Sequence, residues 1–135
     1  MKIKYIQLIG AAIFTLLPIS LHAAPISLNS LLDAIAIVES NNNPVAIGDN
    51  GKAVGMYQIW PIMVKDVNRI LGRQEYTLED RLNPQRSRAM CRTYLEHYCK
   101  GKSLAYMARC WNGGPNGYKK ESTLKYWKKI KEVLK

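Results

Sequence analysis

The amino-acid sequence predicts one all-α (mainly α) domain, with room for a single small, irregular β element. Three observations predict this class. The chain has 135 residues, which suits one domain. Apolar residues recur at helical spacing in five segments, most of them bounded by Ser, Asn, Pro or Gly. No segment shows strong strand alternation, and only the turn-rich residues 46–58 suit a short hairpin.

Residues 1–23 have the layout of a secretory signal peptide. Two lysines precede the apolar run 6–17, and the small-residue sequence Leu21-His22-Ala23-Ala24 follows. The run is too short for a stable membrane span and is followed by Pro18, so a retained anchor helix is the weaker alternative. We therefore expect cleavage, a folded domain over residues 24–135, and a periplasmic or secreted location.

The first helix is predicted over Leu31–Ser40. Asn29 or Ser30 is suited to cap its N-terminus. Pro44 follows its end, and proline disfavours helical geometry in the residue before it. Residues 46–58 come next and contain the sequence Gly-Asp-Asn-Gly, whose residue types favour turns.

Four more helices follow this loop. Pro61 suits the first position of a helix, which Gly72 then ends. Asn83 and Pro84 start the third helix in the same way, and Ser103 can cap the fourth. The expected spans are Pro61–Leu71, Pro84–Tyr98, Leu104–Trp111 and Ser122 to the C-terminus.

Glu39 shares the apolar face of the first helix. Together with Leu32, Ile35 and Ala36 it follows the spacing of one helical stripe. Burial disfavours the charged form of a carboxyl group and so raises its pKa. A raised pKa is what a general acid needs near neutral pH. The alternative is that Glu39 lies at a frayed helix end and points to water.

The loop after this helix adds polar and aromatic groups. Asp49 is either a second catalytic carboxylate or only a turn residue. Gln58 carries both a donor and an acceptor, which suits sugar hydroxyl and acetamido groups. Tyr57 and Trp60 either stack on sugar rings or belong to the core. An acid beside such groups favours chemistry on an uncharged polymer such as a glycan.

The net charge of the chain limits the kinds of binding partner that we expect. The net charge of +10 favours polyanions, and an exported protein meets envelope polymers more often than nucleic acid. We expect no nucleic-acid partner. The C-terminal lysines either bind anionic envelope polymers or form a solvated helix face. They are Lys119, Lys120, Lys125, Lys128, Lys129, Lys131 and Lys135.

Cysteine and histidine usage excludes several chemistries. Cys91, Cys99 and Cys110 allow one disulfide and one free thiol, and the sequence leaves the pairing open. No CxxC motif or Cys/His cluster has metal-ligand spacing, and no glycine-rich phosphate loop is present. We expect neither a metal nor a cofactor. His97 is the single histidine of residues 24–135, which gives little support to Ser-His-Asp catalysis.

Three ordered motifs resemble the lysozyme-like superfamily. The Glu39-Ser40 pair with Asn43-Pro44, followed by Gly55-Met56-Tyr57-Gln58-Ile59, is similar to the E-S-x-x-N-P … G-x-x-Q-I pattern of SLT-type lytic transglycosylase domains. The Trp111-Asn112-Gly113-Gly114-Pro115 block resembles their A-Y-N-A-G-P motif. The sequences MARCWNGGPNG and TLKYWKKI are also similar to invertebrate-type lysozymes. The resemblance covers residues 31–133.

The resemblance implies a role for each matched residue. Glu39 would protonate the glycosidic oxygen between MurNAc and GlcNAc in peptidoglycan. Ser40 and Gln58 would hold the glutamate and the substrate. The cleft would be lined by Tyr57, Trp111, Asn112 and Tyr126. The chain departs from the pattern in having Trp111 for a tyrosine, one extra residue between Glu39 and Gln58, and Asp49 near a common serine.

These features leave several functions open. A lytic transglycosylase needs Glu39 alone and releases a 1,6-anhydro product, whereas a hydrolytic lysozyme would also use Asp49. A non-catalytic cell-wall-binding or secretion accessory protein would keep only the fold. A cationic membrane-active protein would work through its C-terminal helix. We favour the transglycosylase, acting as a monomer on peptidoglycan glycan strands.

Overall fold

The computed structural model describes residues 26–135, so the predicted signal peptide lies outside the described residues. The mainly α class is confirmed. The helices are α1 (Leu28–Ser40), α2 (Pro61–Leu71), α3 (Pro84–Cys99), α4 (Leu104–Gly113) and α5 (Leu124–Val133). Between α1 and α2 lie two short strands, β1 (Ile47–Gly48) and β2 (Ala53–Val54), within the stretch where the small β element was expected.

The predicted start of α1 was wrong by three residues. Ser27 is the N-cap, and its hydroxyl accepts a hydrogen bond from the Ser30 backbone at 3.3 Å. The Ser30 hydroxyl in turn accepts from the Ser27 backbone at 3.4 Å, which completes a capping box. Ser30 is therefore the third residue of the helix. Asn29 and Ser30 misled the prediction because their residue types also suit a cap.

The predicted start of α5 at Ser122 was also wrong, by two residues. Residues 121–123 form one turn of 3-10 helix, and α5 begins at Leu124. The Thr123 hydroxyl lies 2.8 Å from the carbonyl oxygens of both Gly117 and Lys120, to either of which it can donate. The contact with Gly117 holds the segment against the loop after α4.

The two strands form an antiparallel hairpin in which Ile47 pairs with Val54. Its turn is a single 3-10 turn, Asp49–Gly51. Arg81 fastens the hairpin to the rest of the domain, because its guanidinium donates to the carbonyl oxygens of Lys52 and Ile59 at 3.2 Å each. The hairpin is therefore held in place by a side chain that comes later in the chain.

The core lies between the helices and the hairpin. Helix α1 packs against α5, α4 and α3, and α4 packs against α3 and α5. Burying such apolar side chains contributes about 25 cal/mol per Å² removed from water. The fully buried centre consists of Leu31, Leu32, Ile35, Tyr57, Ile59, Val67, Met90, Leu95 and Ile130.

The expected disulfide is not present, since Cys91, Cys99 and Cys110 are buried free thiols. Cys91 and Cys99 lie eight residues apart on α3, a rise of about 12 Å, which exceeds the span of a disulfide. Cys99 instead lies beside Cys110 of α4. Burial, followed by the hydrogen bond and charge of Cys110, raises the pKa of the Cys99 thiol to about 12. The Cys99 thiol therefore stays protonated at neutral pH.

Residues 26–135 contain neither a candidate membrane span nor a candidate metal cluster. None of the described helices combines the length and apolar character that a membrane crossing needs. Within the same residues, His, Cys, Asp and Glu side chains form no group of three or more that could hold a metal ion.

Candidate active site

A cleft of about 580 Å³ lies where the end of α1, the hairpin, the start of α2 and the end of α4 meet. It brings together six residues that the sequence predicts as candidate site residues: Glu39, Asp49, Gln58, Trp60, Trp111 and Asn112. Residues far apart in sequence thus share one cavity, which is the size of a small-molecule or oligosaccharide site.

Glu39 lies at the last turn of α1, and its carboxyl group is partly enclosed. The Tyr126 hydroxyl on α5 donates a hydrogen bond to Glu39 Oε1 at 2.8 Å. Burial raises the pKa of the Glu39 carboxyl, contacts with Tyr126 and Trp111 lower it, and the negative charge of Asp49 raises it again. The net direction is upward, so Glu39 keeps its proton to a higher pH than an exposed glutamate.

Local sequence explains why Glu39 ends up there. The helix ends at Asn41, whose left-handed backbone (φ 53°) turns the chain away just after the glutamate. Ser40 then ties the helix end to the loop, because its hydroxyl donates to the carbonyl oxygen of Met56 at 2.8 Å. Ser40 was predicted to hold Glu39 or substrate. It holds the backbone of the loop and does not line the cleft.

Asp49 and Trp60 form a polar pair on the hairpin side of the cleft. The Trp60 indole nitrogen donates to Asp49 Oδ2 at 3.2 Å. Lys52 lies over the Trp60 ring, with Nζ 5.4 Å from the ring centre, an arrangement that favours the cation. The Asp49 backbone is left-handed (φ 47°), which Asp tolerates in turns. Asp49 is therefore a turn residue that also lines the cleft, and its role as a second catalytic carboxylate stays a prediction.

Gln58 stabilises the loop through hydrogen bonds, and the Tyr57 side chain lies in the core. The Gln58 amide nitrogen donates to the carbonyl oxygens of Gly55 at 2.9 Å and Ala46 at 3.3 Å. Gln58 still lines the cleft. Of the two alternatives predicted for Tyr57, contact with a sugar ring or a place in the core, the structure has the core. Its side chain is 1% exposed in the core, and its hydroxyl accepts from Arg88 at 3.1 Å.

The far wall comes from the C-terminal end of α4. Trp111 is braced edge-on by Tyr57 and Tyr94, with ring centres 6.4 and 5.8 Å away. Asn112 is exposed on the cavity side. Tyr126 was predicted to line the cleft with them. It lies behind Glu39 instead, 8% exposed, and contacts the carboxylate rather than the open cavity.

Sequence reasoning missed part of the lining. Ile62, Met63 and Gly114 complete the cleft. Trp60 is 40% exposed and Ile62 is 68% exposed, so both apolar side chains are accessible to a ligand in the cleft. The signal in the sequence was Pro61. Proline suits the first position of a helix, so the first turn of α2 comes directly after the loop.

Together, the fold and the cleft define the class. A mainly α domain with one enclosed glutamate at the end of an apolar helix, facing a short hairpin, is a lysozyme-like domain. Residues 19–134 match the family model described as "Transglycosylase SLT domain". The chain therefore belongs to the transglycosylase SLT domain family, which cleaves glycosidic bonds of peptidoglycan.

A solved structure supports the same fold. One chain of the crystal structure of Aeromonas hydrophila PliI in complex with Meretrix lusoria lysozyme is similar to this chain with a TM-score of 0.67 and 26% sequence identity. The alignment covers 82% of this chain and 93% of the other. A search of curated protein sequences found no match.

Proposed function

We propose that this protein is a lytic transglycosylase that cleaves the β-1,4 bond between MurNAc and GlcNAc in peptidoglycan, with Glu39 as general acid and base. One observation carries the proposal. The Glu39 carboxyl is enclosed, has a raised pKa, and is oriented by the Tyr126 hydroxyl at 2.8 Å while it faces a cleft.

The geometry supports a two-step role for Glu39. Protonated Glu39 gives its proton to the glycosidic oxygen, and the C1–O bond breaks as the GlcNAc leaving group departs. The resulting carboxylate is stabilised by the hydrogen bond from Tyr126. It then accepts the proton of the MurNAc C6 hydroxyl, whose oxygen bonds to C1. The products are a 1,6-anhydro sugar and a free 4-hydroxyl, and Glu39 is protonated again.

A second candidate, the hydrolytic lysozyme, is favoured by one observation. Asp49 lines the same cleft as Glu39, and its charge acts on the pKa of the Glu39 carboxyl. In that reaction Asp49 would act as nucleophile or as the base that activates water. Against this role, one Asp49 oxygen is engaged by the Trp60 indole and the side chain is exposed.

The reaction products distinguish the two chemistries. We expect mass spectrometry of peptidoglycan digests to detect 1,6-anhydro-muropeptides, and Asp49→Asn to keep activity within about threefold, because a weakened Trp60 contact is a modest loss. Glu121→Asn serves as a control substitution of an exposed acid outside the cleft. Products that carry an added water, together with loss of activity in Asp49→Asn, would favour the lysozyme.

Tyr126→Phe tests how the acid is oriented. The Tyr126 hydrogen bond lowers the pKa of Glu39, so its loss should raise that pKa further and move the alkaline limb of the kcat profile to higher pH. We expect kcat to fall roughly tenfold or more, since the bond stabilises a charged form. Tyr118→Phe is the matched control. An unshifted pH profile would show that Tyr126 only fills space.

We also propose that the protein acts outside the cytoplasm and that its lysine-rich end binds anionic envelope polymers. All seven lysines of residues 119–135 are exposed. Three of them have contacts: Lys120 Nζ donates to the Gly113 carbonyl at 2.7 Å, Lys135 pairs with Glu132 at 2.7 Å, and Lys119 Nζ lies 5.5 Å from the centre of the Tyr118 ring. The charge of Lys129 acts on the Glu39 carboxyl and lowers its pKa. Lys125, Lys128 and Lys131 remain available on α5.

Charge removal on α5 measures this binding. Replacing Lys125, Lys128 and Lys131 by Gln should weaken sedimentation with intact cell wall several-fold at low salt, and the difference should shrink at high salt because salt screens exposed charges. Turnover of short soluble glycan strands should not change. Equal wall binding at low salt would mean that these lysines only keep the helix soluble.

A further inference from the structure

A second pocket opens beside the cleft. Its volume is about 500 Å³, and Ile62, Met63 and Gly114 line both it and the cleft, so the two cavities adjoin. Its remaining lining comes from α2, α3 and the loop after α4: Lys65, Asp66, Arg69, Tyr94 and Pro115. The side pocket is therefore the cavity next to the one that would hold a glycan strand.

The base of the side pocket holds an unused polar group. Tyr94 is 4% exposed, and among residues 26–135 its hydroxyl makes no hydrogen bond. Within that part of the chain no fully buried side-chain polar atom lacks a partner. The Tyr94 oxygen therefore keeps some access to the pocket, where it can donate to or accept from a ligand. An unpartnered hydroxyl in such a setting favours a ligand with amide groups.

The rim of the side pocket carries charge. Arg69 is engaged by Asp66 at 2.8 Å and by the Tyr98 hydroxyl at 3.0 Å. Lys65 is exposed and has no ion-pair partner within the described residues. The walls between the rim and Tyr94 are aliphatic. The side pocket thus offers a ligand aliphatic walls, the Tyr94 hydroxyl and the Lys65 ammonium group.

We propose that this side pocket binds the stem peptide attached to the N-acetylmuramic acid in the cleft. The inference rests on the proposed peptidoglycan substrate. Stem peptides carry methyl groups on the lactyl and alanine units, backbone amides, and carboxylates. These match, in order, the walls formed by Ile62, Met63 and Pro115, the Tyr94 hydroxyl, and Lys65. A further sugar ring fits less well, because aliphatic walls leave its hydroxyls without partners.

Two substrates distinguish the pocket from the cleft. The first is peptidoglycan with intact stem peptides, and the second is the same glycan strands after an amidase has removed the peptides. We expect wild-type protein to show about tenfold higher kcat/KM on the peptide-bearing strands. Tyr94→Phe and Lys65→Gln should each lower that preference about threefold, mainly through KM. Tyr94→Phe keeps the ring that braces Trp111.

Controls separate the possible failures. Lys100→Gln removes an exposed lysine outside both cavities and should keep the wild-type preference. Equal turnover of both substrates by wild-type protein, or equal losses on both in the variants, would overturn the stem-peptide site. Absence of turnover on either substrate would instead contradict the proposed function. In that case NMR titration with muramyl dipeptide still tests the pocket, since shifts at Tyr94 and Lys65 are expected and their absence would overturn the site.

Discussion

Glu39→Gln is expected to lower the rate of peptidoglycan cleavage roughly 10²- to 10⁴-fold, the usual contribution of a positioned general acid. Glutamine keeps the size of the side chain and can still accept the Tyr126 hydrogen bond. It cannot donate a proton to the glycosidic oxygen. The measurement is release of soluble muropeptides, with Glu121→Gln as an exposed control outside the cleft.

Thermal unfolding separates loss of chemistry from loss of fold. Because the pKa of Glu39 is raised in the folded protein, its contribution to stability is fully present below the unfolded pKa and is lost as pH rises through the folded pKa. Glutamine is uncharged at every pH, so the variant does not suffer this loss. Glu39→Gln should therefore have a Tm no lower than wild type. An inactive variant that melts much earlier would leave the catalytic role unsupported.

The same substitution tests the non-catalytic alternatives. If Glu39→Gln retained wall-clearing activity, a binding or secretion accessory role would replace the enzyme. If killing of cells persisted in Glu39→Gln but disappeared on removal of residues 119–135, membrane activity of the cationic helix would gain over catalysis. The predicted result, a folded protein without muropeptide release, contradicts both.

Gly55→Ala is expected to cost about 3 kcal/mol or more of unfolding free energy. Gly55 has a left-handed backbone (φ +80°), where a side chain costs about 1–2 kcal/mol. An added Cβ would also lie 1.8 Å from the carbonyl oxygen of Arg81. Backbone must move to relieve that clash, and Arg81 is the residue that fastens the hairpin. Denaturant unfolding measures the loss.

Gly51→Ala is the matched control for this clash. Gly51 has a similar backbone (φ +87°), but an added Cβ would meet nothing within 4 Å. Its cost should therefore stay near the 1–2 kcal/mol of backbone strain alone. Gly55→Ala should also reduce catalysis, since Gly55 accepts hydrogen bonds from the Gln58 backbone and side chain. Equal losses in the two variants would show that the close approach to Arg81 is unimportant.

Helix positions could be predicted from sequence because their signals are local. Pro61 and Gly72 bound α2 as expected, and Asn83 caps α3 through a bond from the Arg86 backbone at 3.0 Å. The start of α1 was missed because several adjacent residues suit a cap, and only the reciprocal bonds between Ser27 and Ser30 distinguish them. Residue types identify the possible N-caps, and the hydrogen-bond geometry shows which residue is the N-cap.

Site residues could be predicted from the sequence only where they belong to a local pattern, such as a helical stripe or a short motif. Glu39 stood out because it shares a stripe with apolar residues, and Trp111 and Asn112 followed from a motif. Tyr57 belongs to a motif as well, yet it is buried and pairs with Arg88. No local sequence feature distinguishes the buried Tyr57 from the exposed Trp60, because both are aromatic residues beside the same loop. Their burial depends on helices that come later in the chain.

The sequence alone therefore determined the mainly α class, the helix order and the choice of Glu39 as the candidate acid, because spacing and capping act within a few residues. The tertiary structure decided what surrounds that acid. Tyr126 lies 87 residues further along the chain, and its hydroxyl reaches Glu39 only because α5 packs on α1. The side pocket behind Ile62 likewise exists only where α2, α3 and the loop after α4 meet. Such contacts depend on packing over long sequence separations, which no local pattern encodes.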